Sequence, residues 1–152
     1  MSSIESFILN SEKLTRTFGY WPSFHDAEVI DLHLWRGNVD PEQGKWEFPV
    51  LTMKIHLWEM TKEVNSEGYF VLRYHTLCTL RFRDVQNFHM SHFNFQNAMM
   101  ELLITRKERE KPPSPYFVVE ISPAHGIETS FECLHIEVIE AVSCTDDGAA
   151  AS

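Results

Sequence analysis

Apolar and polar positions alternate along most of this chain, and a period of two marks strands with one buried face. From Ala27 to Arg36, Ile30, Leu32 and Leu34 fall on one side and Val29, Asp31, His33 and Trp35 on the other. From Pro49 to Met60, Leu51, Met53, Ile55 and Leu57 alternate with Thr52, Lys54, His56 and Trp58. Tyr69 to Arg83 sets Phe70, Leu72, Tyr74, Cys78, Leu80 and Phe82 against Arg73, His75, Thr79, Arg81 and Arg83. Val85 to Phe93, Tyr116 to Ser122 and Glu128 to Ala141 continue the series, and Phe70, Phe82 and Phe131 are expected in the core. Turn residues separate these runs. They are Gly37-Asn38, Asp40-Pro41 and Gln43-Gly44, the hairpin-like Asn65-Ser66-Glu67-Gly68, the charged, proline-rich Arg106 to Pro115, and Pro123-Ala124-His125-Gly126.

A helical period appears at the start of the chain, over residues 3–18, where Ile4, Phe7, Ile8 and Leu14 share a face. Ser2 with Glu5 resembles a capping box, Asn10-Ser11 divides the segment into two short helices with Ser11 capping the second, and Gly19 suits the stop. Asn94 to Leu103 fits either a helix capped by Asn94 or a turn over Asn94–Asn97 followed by a strand; the second is preferred. The pattern predicts an α+β fold, with short N-terminal helices and a curled, mainly antiparallel sheet of about six to eight strands. One globular domain over 1–142 and a flexible tail over 143–152 are expected. No strand–helix–strand repeat suggests a parallel nucleotide-binding sheet.

Composition narrows the function classes. With 43% hydrophobic and 23% charged residues the chain is ordinary globular material. Its 13 basic and 22 acidic residues leave a net charge of −9. That argues against nucleic acid as a partner and suits a basic protein, whose encounter an acidic surface speeds. No apolar run approaches the roughly 20 residues that span a bilayer, and the N-terminus lacks a basic segment followed by an apolar core. A cytoplasmic protein with no membrane association is expected. Cys78, Cys133 and Cys144 form no CxxC pair and read as reduced thiols, buried in the case of the two strand cysteines.

Two segments carry candidate chemistry. Gly19-Tyr20-Trp21-Pro22-Ser23-Phe24-His25-Asp26-Ala27-Glu28-Val29 concentrates aromatics, a histidine and two carboxylates in a turn before a strand. His25 and Asp26 invite a metal or acid–base reading, yet neighbours in a strand face opposite ways, so they share a site only within the turn. The alternative is structural: Ser23 or Asp26 bonds backbone amides and His25 closes a strand end. In His92-Phe93-Asn94-Phe95-Gln96-Asn97, the amides of Asn94, Gln96 and Asn97 are expected to satisfy backbone groups of a tight turn. His89-x-x-His92, with His75 or His125, has a spacing zinc accepts, but no cysteine lies nearby. No nucleophile elbow or phosphate-cradling glycine loop is present, so no catalytic residue, metal ligand or cofactor is assigned. Trp35 and Trp58, on the polar faces of their strands, are the candidate partner-binding residues; burial beneath the N-terminal helices is the competing account.

The first segment resembles the N-terminal signature of the bacterial immunity protein 50 family. Phe93-Asn94-Phe95-Gln96-Asn97 is similar to that family's Phe-Asn-His-Gln-Asn type segment, with Phe95 where histidine is usual. The departure argues against a ligand role for that position and leaves it a packing role. The resemblance covers roughly residues 15–140. It implies an immunity protein of a polymorphic toxin system, one that binds and neutralises a cognate toxin, without enzymatic activity. Trp21, Pro22, Ser23, Phe24, His25, Asp26, Glu28, Asn94, Gln96 and Asn97 are then family-signature residues building the scaffold. Two other classes compete: a metal-dependent enzyme centred on His25 and Asp26, with His92 as an optional third member, and a regulatory interaction module.

Overall fold

In the computed structural model, which describes residues 3–148, the alternating segments form ten strands. They are β1 (Glu28–Trp35), β2 (Asn38–Asp40), β3 (Lys45–Glu47), β4 (Val50–Val64), β5 (Phe70–Arg83), β6 (Gln86–Ser91), β7 (Met99–Lys107), β8 (Tyr116–Pro123), β9 (Glu128–Cys133) and β10 (His135–Ser143). Pairing between them is antiparallel. The first sheet has the order β1-β4-β5-β10, the second β6-β9-β8-β7, and β2 with β3 forms a separate ribbon. The fold is therefore mostly β. Instead of one curled sheet there are two four-stranded sheets, and the strands exceed the expected six to eight. The excess has two sources: the turn region after Gly37 is itself a ribbon, and Glu128–Ala141 is two strands.

The split of Glu128–Ala141 follows from a change of parity. Thr129, Phe131 and Cys133 are buried at odd positions, then Ile136 and Val138 at even ones. Leu134 takes up the shift, donating its N–H to the Arg83 carbonyl at 3.0 Å, so β9 pairs in the second sheet and β10 in the first. Arg83 to Val85 makes the matching crossing from β5 to β6, with Asp84 at φ 61°. Strands that change sheet at a bend are how two stacked sheets share a corner. Between the sheets, Phe82 meets Phe131 edge-on at 5.0 Å, within a core that includes Leu51, Met53, Ile55, Leu80 and Val119. Burying each such side chain contributes roughly 1.5–3 kcal/mol.

Parity also corrects β1. A bulge between Val29 and Asp31 puts Val29 opposite Ile55 and Leu32 opposite Met53. Val29 is consequently buried, while Ile30, expected inside, is exposed. Phe70, also expected in the core, is 54% exposed. It lies where β4 and β5 run on as a hairpin, Val64 pairing with Phe70, closed by Asn65 through N–H bonds from Glu67 and Tyr69. Asn94–Asn97 is a turn leading into β7, which removes the helical alternative.

At the N-terminus the helical period divides as expected, into a 3-10 turn (Ile4–Phe7) and α1 (Glu12–Phe18) ended by Gly19 in the left-handed conformation. Ser11 stands at the cap position but makes no side-chain capping bond; its carbonyl receives the Leu14 and Thr15 amides. The proposed Ser2–Glu5 box involves a residue outside those described. A seven-residue helix is marginal alone. Leu14 and Phe18 in the core, and the Lys13 ammonium on the Ile139 carbonyl, hold it in place. Leu9 bonds Ile136 and Val138 and so covers the outer edge of β10. The segment expected as a tail starts inside β10, and the Cys144 amide bonds the His75 carbonyl at 3.0 Å.

Candidate functional site

The two signature segments, about 70 residues apart in the chain, interlock at one corner. The Asp26 amide donates to Met99 O at 2.9 Å, Met99 to Ala27 O at 2.9 Å and Val29 to Asn97 O at 3.0 Å. Glu28 forms an isolated bridge with Ala98, which joins the start of β1 to the start of β7. Asn97, only 3% exposed, closes the second turn: its Oδ1 accepts the Asn94 N–H at 2.9 Å, and its Nδ2 donates to the carbonyls of Asn94 (2.6 Å) and Val29 (3.4 Å). Asn94 Oδ1 accepts the Gln96 N–H at 2.9 Å. Gly126, at φ +75°, presses against this turn so closely that a Cβ would stand 2.2 Å from the Gln96 carbonyl oxygen.

In the first segment Ser23 Oγ accepts the His25 amide at 3.2 Å, and Trp21 packs on Phe24 at 5.6 Å. Pro22 and Phe24 are buried, and Phe24 and Asp26 have φ of 62° and 66°. Such left-handed conformations cost about 1–2 kcal/mol each outside glycine and persist only where surroundings impose them. The His25 ring bonds Met100 O through Nδ1 at 2.9 Å; a carbonyl only accepts, so in this bond Nδ1 carries the proton. Nε2 lies 3.5 Å from the Asp26 carboxylate, with both side chains about half exposed. Among the described residues no group of three or more His, Cys, Asp or Glu side chains is placed to hold a metal ion.

The two tryptophans are not brought together. Val50, the partner of Trp35, and Trp58 are eight positions apart on β4, on the order of 25 Å along an extended strand. Trp35, 39% exposed, lines an open cleft of about 260 Å³ with His33, Val50, Thr52, Arg81 and Arg83. Trp58 is half-buried against the rings of His56 (4.9 Å) and His75 (5.9 Å). Those two histidines share a hydrogen bond, His56 Nε2 to His75 Nδ1, at 3.0 Å. His56, on the polar side of the alternating strand, is 3% exposed. Burial lowers its pKa below the usual histidine value, His75 lowers it further, and Asp147 and Asp146 oppose the shift. Burial pushes the Cys78 and Cys133 thiols up to about 12, away from nucleophilic thiolate chemistry.

Besides Phe70, the exposed aromatics Trp46 and Phe95 were not foreseen. Trp46, 60% exposed, lies in the β2–β3 ribbon opposite Val39, a stretch too short and too rich in turn residues to read as strands. Phe95, given a packing role in the sequence reading, is 94% exposed at the tip of the Asn94–Asn97 turn. Turn geometry points its side chain outward because Asn94 and Asn97 fill the inside.

An antiparallel two-sheet protein with an interlocked signature corner is the class these observations define. Its sequence matches the family model of Immunity protein 50 over residues 10–144, and the chain belongs to that family. No curated protein and no solved structure gives a significant match. No helix among the described residues is long and apolar enough to cross a membrane.

Proposed function

We propose that this protein binds a cognate bacterial toxin stoichiometrically and blocks it, acting as a binding partner and not as an enzyme. Family membership over residues 10–144 is the observation that carries this reading. The net charge of −9 supports a basic toxin, a nuclease among the candidates, because opposite net charges speed encounter. In this reading the signature corner is scaffold, since Asn94 and Asn97 bond groups within the chain, and exposed tryptophan supplies anchoring area.

The test is co-expression with the toxin encoded beside this gene, followed by purification. Restored growth and a complex of fixed stoichiometry are expected. Persistent toxicity with no complex would remove the reading.

A further inference from the structure

We infer that the Trp35 cleft on the outer face of the first sheet is the toxin-docking surface, and that it takes an acidic segment through Arg81 and Arg83. The inference rests on the neutralisation reading and deepens it: on a toxin that is basic overall, it places one locally acidic segment at this cleft. Strand register builds the cleft: Trp35 stands opposite Val50, which stands opposite Arg83, and His33 opposite Thr52, which stands opposite Arg81. Because Arg81 and Arg83 flank the core residue Phe82, both guanidinium groups project outward from the same face. Val50 and Thr52 between them are small, which leaves an open floor beneath Trp35.

Neither arginine has a carboxylate partner among the described residues, although the protein is acidic overall. Glu137, opposite Arg81 on β10, receives the Asn10 amide at 3.1 Å instead. Asp84, next to Arg83, faces His135 at 3.9 Å. By contrast Arg73, Arg106 and Arg109 all have carboxylates within reach. Arg81 is tethered through Nε, which donates to Thr52 Oγ1 at 3.4 Å. Two guanidinium groups beside a tryptophan, one of them tethered to Thr52, suit carboxylates approached by an apolar stem.

The spacing specifies the ligand further. Arg81 and Arg83 are two positions apart on a strand, so their groups repeat at about 6.5–7 Å, the period at which an extended segment presents alternate side chains. An extended stretch with acidic residues at i and i+2 therefore matches both. The ribbon beyond Gly37 extends the same end of the sheet with exposed Val39, Trp46 and Phe48, adding apolar area at its margin. The hairpin at the far end of β4 also exposes apolar groups, Tyr69 and Phe70 among them, but its Arg73 is already paired with Glu59 at 3.0 Å.

The experiment has two arms. In the first, the toxin encoded beside this gene is titrated into wild type, Arg81→Gln/Arg83→Gln, Trp35→Ala and, as a control on the opposite sheet, Glu120→Gln/Glu128→Gln. The arginine pair should weaken binding about 100-fold with unchanged melting temperature, Trp35→Ala should weaken it about 10-fold or more, and the control should stay within about threefold. Unchanged affinity of the arginine variant overturns the inference while the neutralisation reading stands. In the second arm, labelled protein is titrated with an acetylated (Glu-Thr)3 peptide and with (Lys-Thr)3. The acidic peptide alone should shift the Trp35 indole and Arg81 and Arg83 Nε–H signals, and the double variant should lose the Trp35 shift. Absence of those shifts overturns the inference even if no toxin complex forms, whereas their presence without a complex removes the neutralisation reading and the toxin as occupant, leaving the cleft as a site for acidic segments.

Discussion

At the signature corner Asn97 is buried with both ends of its amide bonded to backbone, and Gly126 leaves no room for a methyl group. At the Trp35 end of the first sheet, two arginines and a tryptophan stand in an open cleft, and among the described residues no carboxylate pairs with either cation. The contrast teaches where recognition has room to operate. A polar group already satisfied inside the chain has little left to offer a partner, and breaking its bonds to reach one leaves a buried group unpaired, at about 1–3 kcal/mol. A cation without a carboxylate partner can take one from outside the chain. The Asn94–Asn97 turn thus has little bonding capacity left for a partner.

The comparison yields tests of decreasing size. Gly126→Ala places a Cβ against the Gln96 carbonyl in a left-handed backbone, so it should cost roughly 3 kcal/mol or more, visible in urea unfolding as a lower midpoint. Asn97→Ala strips the turn of its closing bonds and should cost about 1–3 kcal/mol, or some 3–10 °C in melting temperature. Either variant melting like the wild type would mean the corner is not what holds β1 to β7.

A pH effect of intermediate size is expected at the His56–His75 pair. Burial and His75 hold the folded pKa of His56 below its unfolded value, so the unfolded chain binds this proton more readily. Stability is therefore full above about pH 6.5 and is lost as pH falls through that value toward the lower folded pKa. Melting temperatures measured from pH 7.5 down to 5.5 should fall for the wild type and fall less for His56→Asn. The smallest stability effects belong to the exposed aromatics: Trp46→Ala and Phe95→Ala should each stay within about 0.5 kcal/mol of wild type. A large loss at either position would show that it packs in solution.

Alternation alone revealed most of the strands, because each long strand has one face toward the core, as Leu51, Met53, Ile55 and Leu57 show. It did not reveal which sheet a strand joins. The cue was present in the switch from buried Cys133 to buried Ile136, and again from Phe82 to Val85, but a three-residue step within an apolar run reads equally as irregularity. The bulge at Ile30 escaped for the same reason. Local turn chemistry was more legible: Ser23, Asn94 and Asn97 bond backbone groups a few residues away, a property of short polar side chains that needs no knowledge of the fold.

Contacts set by register were beyond reach. Trp35, Arg81 and Arg83 each read as outward-facing, but their meeting depends on β4 lying between β1 and β5 in one particular alignment. The burial of His56 was not legible because nothing in its own strand signals its contacts with Trp58 and His75.

The most direct test of the division between a scaffold corner and a docking cleft measures two quantities on two proteins: melting temperature and toxin affinity, for Asn97→Ala and for Arg81→Gln/Arg83→Gln. The account predicts a lower melting temperature with affinity within about threefold of wild type for Asn97→Ala, measured well below its transition. For the arginine pair it predicts an unchanged melting temperature and affinity weakened about 100-fold. The reverse result, a stable Asn97→Ala that no longer binds beside an arginine variant that binds normally, would place recognition at the corner and contradict the account.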